Sequence, residues 1–241
     1  MTAQLLIYQS AVPVSQEAHG SVSVEAGDDY RFAAAVNSVP VMTVEFPMVA
    51  SEYPIVFAQS GETLSAVVVL GLRDKENLLV AADGGWSGGY VPAFLRRYPF
   101  IYSQTEDQRR MLCIDETFPG VNQEGRGKRL FTDDGALTRY TQDMVSYLND
   151  FETQNGATNR FCERLRALNI LEPTQAEGTV GETRWALQGF FAVSREKLRA
   201  LPGDRLASLA RDDDMELLHL HLHSLRNFNV LPRRLARRVG S

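Results

Sequence analysis

Half-way along this chain the period of its apolar residues changes. Up to about residue 120 they come in short, mostly β-branched runs: Val39-Pro40-Val41-Met42-Thr43-Val44, Ile55-Val56-Phe57, Ala66 to Leu70 and Leu78-Leu79-Val80. Tyr30-Arg31-Phe32-Ala33 leads into the first run, and Met111-Leu112-Cys113-Ile114 supplies a later one. Turn signals separate them at Ser60-Gly61, Asp74-Lys75-Glu76-Asn77 and Asp83-Gly84-Gly85. Runs at this spacing predict an antiparallel sheet rather than βαβ units. The polar, glycine-rich stretch from Val121 to Lys128 reads as an exposed loop.

From Leu137 the spacing becomes helical. Leu137, Tyr140, Met144, Tyr147, Leu148 and Phe151 mark one buried helix face, and Phe161, Cys162, Leu165 and Leu168 mark the face of a following helix. Trp185 to Val193 reads as a strand or hairpin arm, and Ser194 as the N-cap of the helix carrying Leu198 and Leu201. Asp212-Asp213-Asp214 places carboxylates at the start of the last helix, where the macrodipole favours them. The expected fold is α+β, with an antiparallel sheet from the N-terminal half packed against helices of the C-terminal half. We expect one domain over 1–241, β-rich over 1–120, helix-rich over 130–231, with a basic tail at 232–241.

The longest apolar stretch, Ala66 to Leu70 continued to Leu72, is far shorter than the roughly 20 residues of a membrane span. Met1 to Gln9 has neither a positive start nor a small-residue cleavage site. These readings predict no membrane span and a cytoplasmic protein with reduced cysteines. Cys113 and Cys162 are too few for a disulfide scaffold, and Cys162 points at a core.

A net charge of −5 argues against a general nucleic-acid binder, which needs a basic surface to displace counterions. That charge is a composite. Residues 1–60 hold six acids and one base, whereas 181–241 hold eleven bases and seven acids. Four arginines crowd Pro232-Arg233-Arg234-Leu235-Ala236-Arg237-Arg238. Four charges alone bind an acidic partner weakly at physiological salt, so a solvated terminus is expected here.

Three features have chemical potential. His219-Leu220-His221-Leu222-His223 would share one face as a strand, as three zinc ligands do. The apolar stripe Leu217, Leu218, Leu222, Leu225, Phe228 favours a helix instead. His221 then falls inside the stripe, a core histidine or a buried acid/base, with His219 and His223 on the opposite side. That pair has the i,i+4 spacing of metal ligands, but no Glu completes an HExxH pattern, so no metal and no cofactor is expected. Glu45-Phe46-Pro47 with Glu52-Tyr53-Pro54 offers two carboxylates, read as surface groups on a proline-broken connection rather than an acid/base pair.

The third feature is the run from Gly84 to Phe100. Its glycine pairs let backbone approach another group closely, and Tyr90, Phe94, Tyr98 and Phe100 supply rigid contact area. Arg96 and Arg97 supply forked donors for a carboxylate or phosphate. No Lys-Ser/Thr follows the glycines, so this is not a P-loop.

That run also carries a resemblance. Gly89-Tyr90-Val91-Pro92-Ala93-Phe94-Leu95-Arg96-Arg97-Tyr98-Pro99-Phe100 is similar to the bacterial SapC family, as are Glu45-Phe46-Pro47, Glu52-Tyr53-Pro54-Ile55-Val56-Phe57 and Asn77-Leu78-Leu79-Val80. Gly189-Phe190-Phe191-Ala192-Val193 and His221-Leu222-His223-Ser224-Leu225 extend it, so that it runs in order from about Tyr30 to Leu231. The family takes its name from a protein linked to surface-layer assembly, and the resemblance implies a cytosolic accessory protein. It carries no catalytic residues over. An unrelated SapC is a permease of a peptide ABC transporter, which the short apolar runs contradict.

The expectation is a non-enzymatic binding module. Tyr90, Phe94, Arg96, Arg97 and Tyr98 would recognise a protein or peptide partner, or a small acidic ligand. Its rivals are an enzyme using His221 as acid/base on a peptide or polysaccharide precursor, and a metal protein using His219 and His223. The residues carry no signal for an oligomeric state.

Overall fold

The structure, a computed structural model, describes residues 6–104 and 109–239. The reading of Met1 to Gln9 falls partly outside those residues. In chain order the elements are β1 (Ala11–Pro13), α1 (Gln16–His19), β2 (Ser23–Val24), β3 (Ser38–Pro40), α2 (Phe46–Val49), β4 (Ile55–Ser60) and β5 (Thr63–Val69). Then come α3 (Ala93–Arg96), β6 (Phe100–Gln104), β7 (Arg110–Asp115), β8 (Val121–Asn122), β9 (Lys128–Arg129) and α4 (Arg139–Ala167). The chain closes with β10 (Leu171–Val180), β11 (Thr183–Val193), α5 (Arg195–Arg199), α6 (Gly203–Arg211), α7 (Asp214–Ser224) and α8 (Leu231–Val239).

The fold is α+β and its sheets are antiparallel. The main sheet runs β10-β11-β4-β5-β3, so two of its five strands come from the C-terminal half. The β4–β5 hairpin closes as Ser60 pairs with Thr63, and Gly61 takes the left-handed conformation (φ 59°) that a tight hairpin turn requires. Along β5, Leu64, Ala66 and Val68 are buried in alternation, and α4 packs on the strand. The core of this layer gathers Phe46, Phe57 and Phe161, with Phe46 and Phe161 meeting edge to face at 6.2 Å. A second cluster, around Phe100, Ile114, Leu130 and Leu148, lies against the β1-β7-β6 sheet.

Several local expectations give way. Arg31–Ala33 is a 3₁₀ turn, and Leu78–Val80 is a turn with one bridge from Val80 to Trp86. Neither run has a partner long enough for a ladder. The two helices read from Leu137 to Leu168 are one helix, α4, 29 residues long and continuous through Gly156. A single glycine costs only about 1 kcal/mol in a helix interior, and flanking packing outweighs it. Within Val121 to Lys128, Val121–Asn122 and Lys128–Arg129 pair with β2.

Two charged features are also placed differently. Asp213 sits in the left-handed region without a capping bond, and Asp214 is buried rather than a solvated dipole partner. Arg164 grips the Asp214 carboxylate through Nε and Nη2, joining α4 to α7. The basic tail is not a solvated terminus. It forms α8, whose Leu231 and Leu235 are buried, while Arg234 Nη1 donates to Ser87 Oγ at 3.0 Å. Arg238 donates to the carbonyls of Asn77 and Val80 at 2.9 and 2.8 Å. Leucines four apart face the core, and the arginines beside them reach backbone acceptors. Among the described residues no helix is long and apolar enough to cross a membrane.

Candidate functional site

Two glutamates anchor the glycine–aromatic run. Glu52 Oε2 accepts from the Gly89 amide at 2.8 Å, and Gly88 lies so close to the Tyr53 hydroxyl that a Cβ there would collide with it. The Tyr53 hydroxyl donates to the Tyr90 carbonyl at 2.6 Å, and Trp86 Nε1 donates to the same carbonyl at 3.0 Å. Glu45 is not the surface group expected from sequence: it is 2% exposed. Its carboxylate accepts from the Met42 amide (2.9 Å), the Tyr90 hydroxyl (3.0 Å) and the Ala93 amide (2.7 Å). Three donors offset its loss of water, and together they fix α3 against α2.

The run so held does not form one surface. Arg96 is exposed, its Nε donating to the Val91 carbonyl at 3.1 Å and its Nη2 to the Tyr90 hydroxyl at 3.0 Å. The guanidinium lies 5.4 Å from the Tyr90 ring and 5.7 Å from the Tyr147 ring, within cation–π range of both. Its Nη1 has no hydrogen-bond partner among the described residues. Arg97, one residue on, is 1% exposed. Its guanidinium sits between Phe94 at 4.4 Å and Phe151 at 4.5 Å. Phe94 is buried with it, and Tyr98 turns away to stack on Phe32 at 4.2 Å. Consecutive residues of a short helix diverge by about 100°, which sends the two arginines to different places.

Arg96 reaches a groove of about 250 Å³ between α2, α3 and α4. Val44 and Met48 line it at 51% and 42% exposure, with Tyr90 and Tyr147 across from them. Its charged lining groups are Arg96, Asp150 and the buried Glu45. Burial, reinforced by the Glu45 charge and opposed by Arg96, pushes the Tyr90 phenol up to about 12, so Tyr90 is a neutral donor at physiological pH. Arg97 reaches a separate cavity of about 280 Å³, and the two spaces share Met42 and Phe151 as a common wall.

The histidines are elsewhere. His221 is 0% exposed, with Nδ1 2.9 Å from the Ile55 carbonyl and Nε2 accepting from the Val193 amide at 3.0 Å. Those partners fix the neutral tautomer with the proton on Nδ1 and tie α7 to β4 and β11. Burial lowers its pKa to about 4. Both nitrogens are thus spent on backbone, the arrangement of a core histidine. His219 and His223 are exposed on α7, and no group of three or more metal-ligating side chains occurs among the described residues.

Nothing in the sequence marks Val44, Met48, Asn155 or Asn159 as groove or cavity residues, and the strand-like run from Val39 to Val44 pairs only as far as Pro40 before Thr43–Glu45 turns as a 3₁₀ helix. Tyr147 and Phe151 were legible as a buried helix face, but nothing in their spacing says that the face borders a groove.

The model of the SapC family matches residues 14–231. The chain belongs to the SapC family. The match takes in the anchoring glutamates, both arginines and all of α4, so the groove and the cavity lie wholly within the SapC region. No curated protein and no solved structure matches the chain.

Proposed function

We propose that this SapC-family chain is a binding module and that the Arg96 groove is its recognition surface. The observation that carries the reading is the position of Val44 and Met48. Two of the few large apolar side chains left exposed among the described residues line the same groove as Arg96. Exposed apolar side chains beside a cation held over aromatic faces suit a partner segment with an apolar anchor and an adjacent carboxylate. The anchor displaces water from Val44 and Met48, and the carboxylate takes the remaining Arg96 donor. Asp150 on the same lining disfavours a second acid there and sharpens the choice of partner.

The occupant we infer is a protein or peptide acting in surface-layer or other outer-surface processes, met in the cytoplasm. The two buried, unpaired thiols support a reducing compartment. Recognition needs no catalytic step, and the bonded nitrogens of His221 support a non-enzymatic role. The test is affinity capture from the native host, with identification of the retained protein. Arg96→Glu or Met48→Asp should reduce its recovery at least tenfold while the chain stays folded, as read by its circular dichroism and a cooperative thermal transition. Equal recovery with both variants would overturn the reading.

A further inference from the structure

We propose that a cleft of about 560 Å³, at the end of the short sheet β8-β2-β9 where Glu25 follows β2 and Gly120 precedes β8, binds a free aromatic α-amino acid. The site shares no lining residue with the Arg96 groove and does not depend on the groove's binding a protein. Phe32, Phe118 and Pro119 give it apolar walls, and Glu25 and Arg126 place charge beside them. Phe32 stacks on Tyr98 at 4.2 Å, and Phe118 meets the same ring edge to face at 5.3 Å. Tyr98 therefore braces both rings from behind.

The polar, glycine-rich stretch from Val121 to Lys128 carries Arg126 into place. The buried Asn122 side chain closes this turn on itself. Its Oδ1 accepts from the Glu124 and Arg126 amides, both at 3.1 Å, and its Nδ2 donates to the Gly120 and Arg126 carbonyls at 2.9 and 3.0 Å. The Glu25 amide donates to the Gly120 carbonyl at 2.8 Å. A Cβ on Gly120 would collide with the Glu25 carbonyl and the Phe118 ring, so the charged and apolar walls meet through a residue with no side chain. Arg126 Nη1 donates to Glu25 Oε2 at 2.8 Å, and its Nε donates to Glu124 Oε2 at 2.8 Å. Arg126 Nη2 and Glu25 Oε1 make no hydrogen bond among the described residues.

Charge and size select the ligand. Arg31 pairs with Asp29 and Arg126 with Glu25, so the charged lining groups sum to zero and the rim has little pull on a phosphate or other multiply charged anion. An open donor beside an open acceptor remains, on two side chains already 2.8 Å apart. An α-amino acid carries the complementary pair on one carbon. Its carboxylate accepts from Arg126 Nη2, and its ammonium donates to Glu25 Oε1. Both side chains are about half exposed, so these contacts are screened and the ring on Phe32 and Phe118 supplies most of the affinity. A cavity of about 150 Å³ is enough for benzene, so 560 Å³ admits an aromatic side chain with its head group.

The experiment titrates the full chain with L-phenylalanine by calorimetry and NMR. Beside it run 3-phenylpropionate, which lacks the ammonium, phenethylamine, which lacks the carboxylate, and L-leucine, which lacks the ring. Phenylalanine should bind with Kd below about 5 mM, a value within reach of a ligand this small. Amide shifts should centre on Glu25, Phe118 and Arg126, and each analogue should bind at least threefold more weakly. Arg126→Gln should erase the advantage over phenethylamine, and Glu25→Gln the advantage over 3-phenylpropionate. Such an exchange of preference is a readout that misfolding does not imitate. The proposal is overturned if phenylalanine binds more weakly than 5 mM, if any analogue comes within threefold of it, or if either variant keeps the parent's preference. Partner capture reports on the groove and phenylalanine titration on the cleft, so either reading can fail alone.

Discussion

The buried carboxylate of Glu45 accepts a hydrogen bond from the Tyr90 hydroxyl at 3.0 Å, and Tyr90 in turn supports the Arg96 guanidinium from below. The groove therefore depends on an acid that is almost wholly buried in its wall. Glu45→Gln keeps the shape but turns an amide N–H₂ toward at least one of three donors. The expected loss is about 1–3 kcal/mol, read as a lower urea midpoint. Removing the charge should also lower the Tyr90 pKa from about 12, observable by NMR titration of labelled tyrosine rings.

His221 makes stability depend on pH in one window. Its pKa is about 4 in the folded chain, chiefly through burial, against roughly 6.5 unfolded. Between those values the unfolded chain binds the proton and the folded chain does not. Stability from this residue is therefore fully present above about pH 6.5 and declines as pH falls toward 4, by up to about 3 kcal/mol. His221→Gln can meet both the Ile55 carbonyl and the Val193 amide without titrating. Urea midpoints from pH 7.5 to 4.5 should fall more steeply for the parent than for this variant.

The Arg164–Asp214 pair should respond asymmetrically. Asp214 has 2% of its side chain exposed and Arg164 has 45%. Removing Arg164 strands a carboxylate in the interior, whereas removing Asp214 leaves an arginine that can reach water. Arg164→Ala should cost about 3 kcal/mol and Asp214→Ala clearly less, compared by chemical denaturation of both.

The C-terminal helix should behave as part of the body. Leu235→Ala should destabilise the fold by about 2–5 kcal/mol, as for other buried leucines. Arg234→Ala combined with Arg238→Ala should cost little globally but speed amide exchange over residues 77–87, whose carbonyls and Ser87 those arginines hold. A free tail would show neither effect.

Much of this architecture was legible because local pattern and tertiary role agree. The β-branched runs at Ile55–Phe57 and Ala66–Leu70 are strands, Ser194 is an N-cap, and the stripe through Leu218 and Leu222 buries His221. Arg31-Phe32-Ala33 has strand-like residues but no neighbour to pair with, and propensity yields to that absence. The site was less legible. Arg97 reads as a surface charge in any local window, because one of the two rings that enclose it, Phe151, comes from 54 positions along the chain. Glu45 was read as solvated for the same reason, since its donors Tyr90 and Ala93 arrive from another segment. Val44 and Met48 are exposed because no part of the described chain covers them, which is a property of the assembled fold rather than of their neighbours in sequence.

The most direct test of the groove is photo-crosslinking in the native host with Met48→p-benzoylphenylalanine, and with Arg184→p-benzoylphenylalanine on the exposed β10–β11 hairpin as the control. The account predicts one discrete protein adduct from position 48, lost when Arg96→Glu is added, and no such adduct from position 184. No adduct at 48, or the same adduct from both positions, would contradict it.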